Sequence, residues 1–91
     1  MASRGYQVLF APAADRQLRK LPHALQKRIV RSVEGLQTNP RPPGAIKLQG
    51  EHDLYRIGAG DWRVVYQIAD DRLVVLVVRI GRRGDVYRKG I

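Results

Sequence analysis

Three β-type runs near the end of the chain constrain its fold more than any other feature. Leu54 to Ile57, Trp62 to Ile68 and Leu73 to Ile80 are rich in Val, Ile, Leu and aromatic residues, and their connections centre on Gly58–Asp61 and Asp70–Asp71. Parallel neighbours need a crossover of a dozen or more residues, so connections this short predict an antiparallel meander. Side chains alternate along a strand. Tyr55, Ile57, Val64, Tyr66 and Ile68 therefore share one face, and Arg56, Arg63, Val65 and Gln67 the other. Arg79 joins Arg56 and Arg63 if the last strand runs in the corresponding register. An antiparallel sheet can leave such a face wet, but its apolar side needs cover.

The first half of the chain supplies that cover. Tyr6 to Phe10 reads as a short strand stopped by Pro12. Ala14, Leu18 and Leu21 then recur at helical spacing, with Asp15, Arg16, Arg19 and Lys20 turned away. A second helix is expected to open at Pro22, with Leu25, Ile29, Val33 and Leu36 on one stripe, and to stop at Thr38, Asn39 and Pro40. Pro40 to Asp53 has loop composition, with Lys47 and Leu48 as its extended part. The 91 residues suit one domain, residues 1–91, with a single small core. The expected fold class is α+β, in the order β-α-α-β-β-β, with a helical hairpin packed on one face of a small, antiparallel-dominated sheet.

Charge narrows the function. Lys and Arg total 17 against 8 acidic residues, a formal charge of +9, and thirteen of the basic residues are Arg. Arginine pairs bidentately with phosphate and stacks on bases, so this bias points to nucleic acid. The absence of cysteine rules out disulfides, thiolate metal sites and Cys nucleophiles, and it fits a reducing cytosol. The apolar run Leu73 to Val78 is too short to span a membrane, and Gln7 and Pro12 interrupt any signal-type core, so a soluble cytoplasmic protein without membrane partners is expected.

Other chemistry finds little support. His23 and His52 are far apart in sequence and no cluster has metal-ligand spacing, so no metal or cofactor is expected. Gly58-Ala59-Gly60 lacks the Lys-Ser or Lys-Thr of a phosphate-binding loop, and no pair of carboxylates suggests acid–base work. Arginine and tyrosine remain, and they suit phosphate chemistry on RNA, whose own 2′-hydroxyl is the nucleophile. Guanidinium groups stabilise the phosphorane, and an aromatic such as Tyr87 stacks on an unpaired base. Competing assignments stand beside these roles. Arg56 and Arg63 are otherwise solvated or paired with Asp53 and Asp61, the segment holding Arg83 and Tyr87 is otherwise a tail packed on the sheet edge, and Trp62 and Tyr66 read as core. Arg28 and Arg31 read as helix surface.

Tyr6-Gln7-Val8-Leu9-Phe10, Leu21-Pro22, Lys47-Leu48-Gln49-Gly50, Tyr55-Arg56-Ile57, Gly60-Asp61-Trp62-Arg63-Val64-Val65-Tyr66 and Val86-Tyr87-Arg88 follow one another in an order that resembles RelE-type toxins of the RelE/ParE superfamily. The resemblance spans nearly the whole chain, and its specificity lies in the combination. It implies a fold similar to microbial ribonucleases and a metal-free cut of mRNA in the ribosomal A site that leaves a 2′,3′-cyclic phosphate. Its implied partners are the ribosome, mRNA and a RelB-like antitoxin, with operator DNA engaged only through the antitoxin complex.

By the resemblance, Arg56, Arg63, Arg83 and Tyr87 are the catalytic candidates, with Arg83 the general acid, and Lys47, Arg79, Arg82, Arg88 and Lys89 the RNA-binding ones. Gly58 departs from the pattern, standing where well-known members have a second lysine, and Arg82 replaces a common histidine. The general base is consequently open among Tyr87, Lys47 and a ribosomal group. Two other functions compete: a ParE-like toxin that binds DNA gyrase, and a non-catalytic RNA-binding homologue.

Overall fold

The computed structural model describes residues 5–48, 50 and 53–83. Strand β1 (Gln7–Phe10) leads into helices α1 (Pro12–Arg19) and α2 (His23–Glu34) and a 3-10 turn over Gly35–Gln37. Strands β2 (Ile46–Lys47), β3 (Leu54–Ala59), β4 (Trp62–Ala69) and β5 (Val74–Arg82) follow. The sheet order is β1-β5-β4-β3-β2, with β1 parallel to β5 and every other pair antiparallel. The α+β class and the meander stand as expected. A fifth strand is added, because the extended stretch at Lys47 pairs with β3.

Local chemistry explains the element ends. Pro12 opens α1 where a missing N–H costs nothing. Pro22 sits just outside α2 rather than in its first turn: its ψ of 147° is extended, and His23 begins the helix. The Gln26 side chain closes the corner between the helices by donating to the carbonyls of Leu21 (2.8 Å) and Arg19 (3.3 Å). Such carbonyls at a helix end otherwise lack partners. β1 covers β5 only over Val74–Val77, and the Gln17 side chain of α1 then accepts the Ile80 N–H at 2.7 Å.

The core lies between sheet and hairpin. Ala14, Ile29, Val33 and Leu36 meet Ile57, Ala59, Val64, Tyr66, Ile68, Val75, Val77 and Ile80, with Leu18, Leu21, Leu25 and Trp62 packed around them. Burial of these side chains supplies the main favourable term in folding. Tyr66 is fully buried and donates its hydroxyl to the Pro40 carbonyl at 2.7 Å, pinning the connector to the sheet. Burial pushes that phenol up to about 12, so it stays a neutral donor.

A second pin lies at the surface. Arg41 binds Asp70 through two nitrogens (2.8 and 3.2 Å) and donates to the Tyr55 hydroxyl at 3.0 Å, while Tyr6 donates to Asp70 at 2.7 Å. The Arg41 guanidinium, with help from Tyr6, holds the Asp70 carboxyl at about 2, below its ordinary 3.8. A depressed carboxyl stabilises the fold above its unfolded value and loses that contribution as pH falls through the folded one. Asp70→Asn should therefore melt below the wild type at pH 7, with the gap closing between about pH 4 and pH 2. Thermal melts across that range check it, and a constant gap down to pH 2 would refute the assignment.

Candidate functional site

Register sorts the basic residues onto the two faces of the sheet. Away from the helices, one cross-strand row reads Ile46, Arg56, Val65 and Arg79, and the next reads Gly58, Arg63 and Gly81. Arg56, Arg63 and Arg79 thus share the open face, with the last strand brought into place across an irregularity at Val65/Tyr66. Val65, flanked in register by Arg56 and Arg79, is fully buried although it lies on this side. A third row, Leu54, Gln67, Leu76 and Leu9, makes the other end of the same face apolar.

Glycine shapes the surroundings of Arg63. Gly58 and Gly81 flank it in register, so the backbone on both sides is bare. A Cβ at Gly58 would lie 3.0 Å from Arg63 Nη1. Nη1 instead donates to the carbonyls of Gly60 (3.1 Å) and Trp62 (3.0 Å). Among the described residues no acceptor takes the Nε–Nη2 edge, the edge that binds phosphate or carboxylate bidentately. Arg63 forms no ion pair with Asp53 or Asp61 among the described residues. Arg79 Nε is buried with no hydrogen-bond partner among the described residues, a costly arrangement for a cationic donor.

Not every predicted site residue reaches this face. Lys47 is in register with Tyr55 and so lies on the helix-facing side of the edge strand. Arg82 is paired with Trp62, and its guanidinium sits over the indole at 5.8 Å, again on the helix-facing side. Trp62 and Tyr66 belong to the core, as their sequence context suggested. Arg83 follows β5 with an exposed side chain, and its N–H donates to the Asp61 carbonyl at 2.8 Å, beside the β3–β4 turn. Tyr87, Arg88 and Lys89 lie outside the described residues. Two features escaped the sequence reading: the bare backbone around Arg63, for which the paired glycines were the available signal, and the Arg41–Asp70 pin, for which there was none.

The fold and this face together define a small α+β domain with arginines gathered on one open sheet face, backed by a helical hairpin. Residues 8–87 match the family model described as ParE toxin of type II toxin–antitoxin system, parDE. An Escherichia coli protein described as a RelE-like toxin is 38% identical over 86 residues, covering 90% of each chain. The mRNA interferase toxin RelE of Escherichia coli K12 is 30% identical over 90 residues, covering 94% of each. Among solved structures, the intact E. coli RelBE toxin–antitoxin complex matches with a TM-score of 0.76 at 29% identity, over 85% of this chain and 95% of that one. The chain belongs to the RelE/ParE superfamily of type II toxin–antitoxin toxins. No helix among the described residues is long and apolar enough to cross a membrane.

Proposed function

We propose that this toxin is an mRNA interferase that cuts mRNA on the ribosome without a metal ion. The observation that carries the reading is the convergence of Arg56, Arg63 and Arg79 on one open sheet face, with the Arg63 Nε–Nη2 edge and Arg79 Nε left without acceptors among the described residues. Such an array suits one phosphate and the charge it gains in a phosphorane. In the proposed step the 2′-oxygen bonds to phosphorus as the P–O5′ bond breaks. The 2′-hydroxyl gives up its proton, and the departing 5′-oxygen gains one. The products are a 2′,3′-cyclic phosphate and a 5′-hydroxyl.

Arg63 and Arg56 hold the reacting phosphate, Arg79 holds the strand, Arg83 protonates the 5′-oxygen and Tyr87 stacks on the neighbouring base. Lys47 is in register with Tyr55 on the other side of the sheet, so in this reading the base is Tyr87 or a ribosomal group. In-line bending of the strand is assigned to the ribosome. A RelB-like antitoxin, as in the RelBE complex, is the proposed partner that covers this face. Operator DNA is reached only through that complex.

A gyrase-directed toxin of the ParE type is the second reading; the family model carries the ParE name, but the relatives named mRNA interferase and the RelBE complex favour the RelE branch. A reconstituted translation reaction with EDTA-treated toxin and a parallel gyrase assay separate the two. Ribosome-dependent cuts ending in cyclic phosphate support the interferase; gyrase-dependent DNA breaks with intact mRNA overturn it.

A further inference from the structure

The β3–β4 turn gathers arginines from three separate elements. Gly60 has φ +65°, a left-handed conformation suited to glycine. A Cβ there would lie 3.2 Å from Nη1 of Arg28 and 3.4 Å from its Cζ and Nη2. Those distances put the guanidinium of this α2 residue in close approach to the turn, over the glycine. Arg63 Nη1 from β4 donates to the carbonyl of the same Gly60, and Arg83, just past β5, donates its N–H to Asp61. Asp61 is the acid within the turn, yet neither Arg28 nor Arg63 forms an ion pair with it among the described residues. Arg28 and Arg63 both come to the turn at Gly60, and a phosphate there would offset the positive charge they bring. A solvated helix residue has no reason to rest on the turn that seats Arg63.

We infer that the cationic track does not end at the sheet: it runs over the β3–β4 turn, where Arg28 binds an RNA phosphodiester next to the one held by Arg63. The inference rests on the proposed RNA-directed function. Arg28 is a binding residue for the flanking strand and takes no part in bond breaking, so its loss weakens binding and leaves the chemical step intact. Arginine rather than lysine suits the position, because a planar guanidinium can approach bare backbone and still offer several donors.

The test uses the full chain and an uncleavable 2′-O-methyl single-stranded RNA oligonucleotide, with purified ribosomes as a second arm. Arg28→Ala should weaken oligonucleotide binding roughly tenfold at low salt and reduce the slope of log K against log salt by about 0.7, the value of one single-strand phosphate contact. On ribosomes KM should rise with kcat unchanged. Arg28→Lys keeps the charge and should retain the salt slope. Arg72→Ala, in the turn at the other end of the sheet, removes the same net charge and should cost far less.

A loss in both arms places the substrate strand on Arg28; a loss on ribosomes alone, with oligonucleotide binding intact, assigns Arg28 to a ribosomal contact instead and overturns the inference. Binding and salt dependence equal to wild type, or a loss no larger than that of Arg72→Ala, overturns the inference. If wild type binds the oligonucleotide but never cuts mRNA, the interferase reading fails while the Arg28 contact is still judged by its own binding.

Discussion

Arg63→Ala should lower the rate of mRNA cutting on the ribosome by about 10²–10³-fold, the usual cost of removing one preorganised donor from a developing oxyanion. Arg63 is seated by two carbonyls on bare backbone, between two glycines in register on the open face, with no acceptor on its bidentate edge among the described residues. Arg63→Lys should recover little, because an ammonium cannot hold the Gly60 and Trp62 carbonyls and still present a fork to phosphate. Gly58→Ala is the subtler companion. A methyl group there would meet Nη1 at 3.0 Å, but the group that must yield is the end of a flexible side chain. Stability should change by less than about 1 kcal/mol while cutting falls. Single-turnover rates on programmed ribosomes, with thermal melts alongside, separate the two effects. Full activity of Arg63→Ala would remove its assigned role.

Tyr66→Ala should be the most destabilising single substitution at a site remote from the arginine face. Truncating a fully buried aromatic costs about 3–5 kcal/mol, against a total of about 5–14 kcal/mol for a chain of this size. The melting temperature should fall by more than about 10 °C. Tyr66→Phe divides the loss into its parts. It keeps the ring in the core but strands the buried Pro40 carbonyl, at a cost of about 1–3 kcal/mol. Calorimetry of the three proteins checks the order, and a Phe variant as stable as wild type would mean that the connector is not pinned through this hydroxyl.

Much of the fold was legible because its signals are local. Short connections dictated the meander, and strand alternation put Arg56 and Arg63 opposite Ile57 and Val64, as the register confirms. The stripe Leu25, Ile29, Val33, Leu36 faces the core because helical spacing leaves it no other place. What sequence could not supply depends on partners distant along the chain. Arg79 reaches the arginine face only through the irregular register of β4 and β5, and that same register carries Arg82 to the Trp62 side. Lys47 looked like a site residue in a linear motif, yet its pairing with Tyr55 decides its face. Arg28 read as an ordinary exposed helix residue, because nothing local announces that α2 brings it over Gly60.

In the proposed mechanism the arginines of the open sheet face hold the reacting phosphate and stabilise the charge it gains. The most direct measurement is the rate of A-site mRNA cutting, with analysis of the new 3′ ends, for wild type and for the triple variant Arg56→Ala, Arg63→Ala, Arg79→Ala, each first shown by circular dichroism to be folded. Wild type should give cyclic-phosphate ends, and the triple variant no measurable cutting. A folded triple variant that cuts at the wild-type rate would contradict that mechanism.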